Sequence, residues 1–432
     1  MSVDVIIGLQ RGDEGKGRFV DMMAEDHDIV ARFNGGNNAG HTVVLPDGRD
    51  LALHLVPSGI AHEHAMNIIG NGTVVNPVKL IEEIDDIRSK DIEVSRRNLL
   101  ISCAAQLVLP HHICADEIRE AGQGGQGSTK SGIAQVFSSK ASRTGVRMRE
   151  ILSDPQAVSI EAYEGLRALR DQREKADLPK LDEEEIAHNY MISVQKVGEY
   201  VTDTVLFLNQ QLRKEKPARV LAEGAQAYLL DIDHGMYPFV TSSTTTSGGV
   251  ATGLGIPPYL IDKVTGVVKA VQSHVGGGPF VTEVHDKEAL QMLHGDMSTI
   301  DAEKGTTTGR VRRLGYLDLP QIRRAQMVNG THDVALSKLD WFPRYGDDAP
   351  ICVAYEFDGV TTDIAPGSAD ELLRCKPVFE TLPTWEEDIQ GVRNFSDLPE
   401  NAQKAVEFIE DRTNVPISMI GVGPNREQVI IR

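Results

Sequence analysis

The chain has 432 residues, 41% of them apolar and 25% charged, the balance of an ordinary globular protein and not of a disordered one. No run approaches the ~18 consecutive apolar residues of a membrane helix, and a formal charge of −19 argues against a broad nucleic-acid or anionic-membrane surface. Cys103, Cys114, Cys352 and Cys375 form no CxxC pair, and the N-terminus enters Val3-Asp4-Val5-Ile6-Ile7 without a basic or cleavable segment, so a reducing cytoplasm is expected.

In chain order, 3–7 reads as a buried strand and 16–24 as a helix. Segments 41–44 and 50–55 flank Pro46-Asp47-Gly48, a hairpin signal. A helix is expected over 77–88 and a strand over 99–102. From about 154 to 216 the sequence turns charged and helical, with helices expected over 161–175 and 182–213. Strands return at 220–221, 264–271, 334–336, 351–355 and 417–420. Strands alternating with helices predict an α/β fold with a large, mostly parallel central sheet and helical insertions. No linker or repeat divides the chain, so 1–432 is expected to be one domain with a peripheral helical subdomain around 112–216.

Forty glycines are clustered, and the clusters carry the chemistry. Gly8-Leu9-Gln10-Arg11-Gly12-Asp13-Glu14-Gly15-Lys16-Gly17 lies between a strand and a helix, where unpaired N–H groups and the helix dipole favour phosphate. It is not a standard Walker A loop: Gln10 stands at the first glycine, and Gly17 replaces the Ser/Thr that would hold Mg²⁺. Asp13 and Glu14 would oppose phosphate binding alone, so Asp13 is expected either to ligate Mg²⁺ or to take a proton from a base.

The next loop, 32–42, ends in His41, a candidate acid for a leaving oxygen. Segment 122–132 offers many backbone donors plus Thr129, and Arg143 and Arg147 are expected one helical turn apart on one face. Segments 223–226 and 237–246 suit a polar ring or a phosphate, and Asp231-Ile232-Asp233-His234 reads as a local hydrogen-bonding turn. Arg310, Arg312 and Arg313 follow a threonine-rich loop and suit carboxylates or phosphates. In Ser337-Lys338-Leu339-Asp340, a carboxylate can accept both N1–H and the 2-amino group of guanine, a Lys-x-Asp selector of GTP.

Together these segments resemble the adenylosuccinate synthetase family, which joins IMP and L-aspartate at the expense of GTP. The resemblance rests on GDEGKG at 12–17, NNAGHT at 37–42, PSGI at 57–60, EGAQ at 223–226 and DIDHG at 231–235. It continues in YPFVTSS at 237–243, VGGGPF at 275–280, TTTGRVRR at 306–313 and SKLD at 337–340.

It implies a P-loop-like GTP-binding fold and a 6-phosphoryl-IMP intermediate. Asp13, His41 and Gln226 would be catalytic: Asp13 takes the N1 proton of IMP, and His41 acts as acid on the phosphoryl group. Asp13 and the Gly40 carbonyl would hold one Mg²⁺ per subunit. GTP would meet Gly12, Asp13, Glu14, Gly15, Lys16, Gly17, Gly40, His41 and Thr42 at its phosphates. Arg312, Lys338, Leu339, Asp340, Gly421, Val422 and Gly423 would complete that site. IMP would meet Asp13, Lys16, Asn38, Ala39, Gly40, His41, Thr129, Gln226, Thr241 and Arg310. Arg143 would reach the IMP phosphate of a neighbouring subunit, which implies a homodimer. Aspartate would meet Thr306, Thr307, Thr308, Gly309, Arg310 and Arg312. No nucleic acid or membrane partner is implied.

The sequence departs from the family pattern at Arg11, where an aromatic residue is usual, and at Asn37, Ser131, Ala134, Gln135, Gly421 and Asn425. Two other readings compete. A phage-type synthase would use another purine nucleotide such as dGMP, but that type lacks the aspartate base that Asp13 supplies. A GTP-binding regulatory protein would leave His41, EGAQ and the 306–313 loop without a task.

Overall fold

Val3–Gly8 is almost entirely buried and sits among the middle strands of a ten-stranded sheet. Strands covered on both faces read as continuous Val/Ile runs, which is why this one stood out in the sequence. The computed structural model describes residues 3–45, 47–122, 127–295, 303 and 311–432. In chain order the sheet contains β1 (Val3–Gly8), β2 (Ile29–Arg32), β3 (Met66–Ile69), β4 (Leu99–Ser102) and β5 (Val201–Thr202). It continues with β6 (Val220–Ala227), β7 (Ile261–Lys269), β8 (Asp333–Ser337), β9 (Ile417–Gly421) and β10 (Val429–Ile431). Their spatial order is β10-β9-β8-β7-β1-β6-β2-β3-β4-β5. All neighbours are parallel except β9 and β10. The expected α/β class with a large, mostly parallel sheet is the one observed.

After β1 the chain builds outward to one side through β2, β3, β4 and β5. β6 then inserts between β1 and β2, and β7, β8 and β9 extend on the far side of β1. Where strand order diverges in this way, the loops at the carboxyl ends part and leave a crevice. The glycine loop after Gly8 opens into it. Gly15 takes φ 84°, a left-handed conformation glycine adopts without steric cost, and turns the chain into α1 (Lys16–Ala24). Phe19, Val20 and Ala24 of α1 then pack on Ile6, Val30, Leu221 and Val267 of the sheet, fixing the helix N-terminus over the crevice.

Two expectations need correction. The helix expected over 182–213 is two helices, Glu183–Gly198 and Thr204–Leu212, separated by β5. The β-branched pair Val201-Thr202 joins the sheet edge beside β4, and the Asp203 carboxylate then caps the next helix by accepting from Leu206 N at 3.0 Å. Arg143 and Arg147 do not share a helix face. Helix Ile133–Ser142 ends at Arg143, which is left-handed at φ 65°, and Arg147 forms a bridge with Gln106.

Among the described residues, segment 110–212 otherwise holds six helices, of which the longer ones pack on one another and on Pro77–Ser89. A second sheet of Leu317–Asp318, Asp348–Phe357, Val360–Thr362 and Lys376–Pro383 shares the largest hydrophobic cluster with β7 and β8.

Candidate active site

The carboxyl ends of β1, β6, β7 and β8 converge on a cavity of about 1170 Å³. That volume exceeds what one drug-sized ligand fills and suits more than one polar substrate. Its walls carry the 11–18 loop, 38–42, Thr129, Gln226, Thr241, Arg312, Lys338, Asp340 and Gly423. Leu339, Gly421 and Val422 are buried behind the wall, outside the lining. Thr306, Thr307, Thr308, Gly309 and Arg310 lie outside the described residues.

Inside the glycine loop the two acids take different tasks. Glu14 folds back and is 1% exposed; its carboxylate accepts from Gly12 N at 2.8 Å and from Lys16 Nζ at 2.6 Å. Gly8 makes room for it, since a Cβ there would stand 2.4 Å from Glu14 Oε2. A buried ammonium needs a counter-charge, and Glu14 supplies it. Asp13 instead takes φ 60° and keeps its carboxylate 27% exposed toward the cavity. Arg312 Nε lies 3.0 Å from its Oδ2, an ion pair whose N–H is not directed along the hydrogen-bond line.

His41 opens a short strand (His41–Val44) paired antiparallel with Asp50–Leu53, as the hairpin signal predicts. Its Nδ1 lies 2.6 Å from Glu223 Oε1. Glu223 also accepts from Ser58 Oγ (2.7 Å), Ser58 N (2.9 Å) and Arg32 (3.3 Å). Glu223 has 0% exposure, yet burial is outweighed by Arg32, His41 and Ser58, which hold its carboxyl down at about 2. Burial, then Arg32, pulls the His41 imidazole down to about 4 against the upward pull of Glu223. The ring is therefore neutral at pH 7. With Nδ1–H donating to Glu223, Nε2 is the nitrogen left for a substrate.

Gln226 takes φ 59° and donates Nε2–H to Asn38 Oδ1 at 3.2 Å, so two candidate IMP contacts from distant segments meet. Asn34 ties the same segments by exchanging hydrogen bonds with the Ala225 backbone at 2.8 and 3.1 Å. Thr241 is held by its N–H on Leu230 O at 2.8 Å. Asp231 caps that turn, accepting from the N–H groups of Asp233 and His234 at 3.0 Å and of Thr245 at 2.6 Å. Arg143 is exposed and outside the lining.

Three features were not assigned from sequence. Glu223, Arg32 and Ser58 fix His41; the EGAQ and PSGI signatures marked two of these positions without giving them a task. Arg11, the departure from an aromatic residue, is 2% exposed and ties the cavity floor together. It donates to Pro279 O at 2.9 Å and Gln321 Oε1 at 3.3 Å, with its guanidinium 4.2 Å from the Phe280 ring centre. Glu303 is fully buried among Lys269, Arg312 and Lys338, and no sequence signal marked it. Among the described residues no group of three or more His, Cys, Asp or Glu side chains gathers to hold a metal.

The adenylosuccinate synthetase family model matches residues 5–430. An adenylosuccinate synthetase of Bacillus cereus is 43% identical over 434 residues, covering 100% of this chain and 98% of the relative. One of Desulfatibacillum aliphaticivorans is 44% identical, covering 99% and 97%. Among solved structures, fully ligated adenylosuccinate synthetase from Plasmodium falciparum superposes with a TM-score of 0.89 at 36% identity, covering all of both chains. A cyanophage S-2L succinoaminodeoxyadenylate synthetase bound to dGMP and dATP gives 0.62 at 20% identity over 100% and 95% of the chains, a likeness of fold alone. A full-length match, more than 40% identity to curated relatives and the same architecture agree: the chain belongs to the adenylosuccinate synthetase family.

Proposed function

We propose that this chain joins IMP to L-aspartate at the expense of GTP, with Asp13 as the base and His41 as the group that meets the transferred phosphoryl. The 6-oxo group of IMP is a poor leaving group. Asp13 takes the N1 proton, and the electron pair released makes O6 nucleophilic toward the γ-phosphorus of GTP. GDP departs, leaving a 6-phosphoryl nucleotide. The amine of aspartate then attacks C6, and the former O6 leaves as phosphate. One observation carries the reading: Asp13, Lys16, His41, Gln226, Lys338 and Asp340 come from four segments and line a single cavity.

The neutral His41 found here starts as a hydrogen-bonding partner. The anionic γ-phosphate entering beside it favours the imidazolium, with Glu223 ready to stabilise that charge. Lys16, on the α1 N-terminus, supports the phosphates after exchanging Glu14 for them. Asn38, Thr129, Gln226 and Thr241 hold IMP on the facing wall, with Ala39 and Gly40 beside them. Thr306, Thr307, Thr308, Gly309, Arg310 and Arg312 take aspartate, and Asp340 with Lys338 reads guanine.

Asp13 and the Gly40 carbonyl are hard oxygen donors suited to Mg²⁺ completed by substrate phosphates, and the guanidinium beside Asp13 marks where a cation is wanted. Bound there, Mg²⁺ would neutralise charge on the phosphates. A homodimer in which Arg143 serves the neighbouring IMP site agrees with its exposure in the single chain. The cytoplasm is the proposed compartment.

The test is adenylosuccinate formation with each of the three substrates omitted in turn. Product and sustained GTP cleavage that require all three support the reading. GTP turnover without IMP and aspartate indicates a GTP switch, and activity with dGMP but not IMP indicates the phage-type reaction.

A further inference from the structure

Glu303 is 0% exposed, and its oxygens are divided among three cations. Oε2 accepts from Lys269 Nζ at 2.7 Å and Arg312 NH1 at 2.9 Å, and Oε1 accepts from Lys338 Nζ at 2.7 Å. Its main-chain carbonyl accepts from Arg312 N at 3.0 Å. Lys269 ends β7 and is itself 1% exposed, so one carboxylate oxygen would suffice to neutralise it. The remaining contacts go to Arg312 and Lys338, which line the cavity together with Lys269. Arg312 continues to Asp13 (3.0 Å), and Lys338 lies two positions before Asp340, its Nζ 3.5 Å from the Trp341 ring centre.

We propose that Glu303 is a positioning residue that links the guanine-reading end of β8 to the reacting carboxylate, through the unbroken series Lys338–Glu303–Arg312–Asp13. This rests on the roles given above to Asp13 and Asp340.

Arg312 is shared between two carboxylates, Asp13 and Glu303. When Asp13 turns to its substrate, that side of the guanidinium is released. The Glu303 hydrogen bonds then keep it in the site for incoming anions. The same carboxylate holds Lys338, so guanine binding and Arg312 placement draw on one anchor. Burial would raise the Glu303 carboxyl, but Lys269, Lys338 and Arg312 together hold it well below the usual range, so it is ionised and available to all three. Without it, three cations would face one another in a dry pocket.

The experiment compares Glu303→Gln, Glu303→Asp and the double variant Glu303→Gln/Lys269→Met, measuring kcat, KM for each substrate, GTP affinity by calorimetry and the unfolding midpoint. Glu303→Gln is expected to raise KM for GTP and aspartate ~10-fold or more, with KM for IMP changed less than ~3-fold. Glu303→Asp keeps the charge, and with it the fold, but its shorter arm cannot serve all three cations. It should show the same pattern at a fraction of the size, with GTP affinity reduced in step. The double variant removes the Lys269 charge together with its partner and is expected to remain defective.

Recovery of wild-type KM values in the double variant would show that Glu303 only neutralises Lys269. Unchanged KM values and GTP affinity in Glu303→Asp would also overturn the proposal. Absence of adenylosuccinate from the wild-type protein would instead overturn the functional reading, while the calorimetric comparison of wild type with Glu303→Asp would still test the link.

Discussion

In the proposed reaction, His41 takes its role from its surroundings. A lone histidine at the start of a hairpin is more often structural than catalytic. Here Glu223 fixes its Nδ1, and Ser58 and Arg32 fix Glu223. On this account His41→Asn and Asp13→Ala each lower kcat by ~10²-fold or more, with GTP binding retained in the His41 variant; steady-state kinetics and GTP titration check both. Near-normal turnover in the two would remove their assigned roles. Glu223→Gln leaves Arg32 buried without its carboxylate and His41 without its orienting charge. It should lower both the unfolding midpoint and kcat, the stability loss being about 3 kcal/mol or more by analogy with other broken buried pairs. Asp340→Asn should favour XTP over GTP, because an amide can donate to a 2-oxo group; an unchanged GTP/XTP ratio of kcat/KM would place guanine reading elsewhere. That Asp13, Lys16 and Asp340 belong to one site was legible because their neighbours repeat known chemistry at fixed spacing, and all three line the same cavity. Glu303 was not, because its partners lie 34, 9 and 35 positions away and meet only in the fold.

At the scale of elements, the parallel strands were legible from buried Val/Ile runs, and α1 from the glycine turn before it. Lys376–Pro383 was missed because it alternates between exposed and half-buried positions and carries two prolines, which hides any apolar run. The split within 182–213 was missed because two β-branched residues between helical stretches become a strand only when a sheet edge is there to pair with them. Asp318, at the start of helix Leu319–Asn329, gives this level a pH signature. Burial raises its carboxyl from 3.8 to about 6, against the Tyr355 hydroxyl and Arg11, which favour the charged form. The folded state thus binds this proton more tightly than the unfolded one. Its stabilising effect is complete below pH 3.8 and is lost as pH rises through 6, a change on the order of 3 kcal/mol. Urea unfolding of wild type and Asp318→Asn between pH 4 and 7 checks this. The expected difference is a flatter stability curve in the variant over that interval, and parallel curves would contradict it.

For the whole molecule, a charge of −19 and a site for polyanions are reconciled by concentrating cations and pairing each with an internal carboxylate. Glu14 pairs with Lys16, Asp13 with Arg312, and Glu303 with Lys269, Arg312 and Lys338. If Arg143 completes a neighbour's IMP site, Arg143→Leu raises KM for IMP. Mixing that variant with Asp13→Ala subunits should then restore activity, since hybrid dimers contain one site with both groups intact. No recovery after mixing, with subunit exchange verified, would confine Arg143 to its own chain. The central claim concerns an atom: the oxygen on C6 of IMP attacks phosphorus and leaves with it. The measurement is mass spectrometry of the phosphate released during turnover with [6-¹⁸O]IMP. The account predicts one ¹⁸O in each phosphate formed, and phosphate free of the label would contradict it.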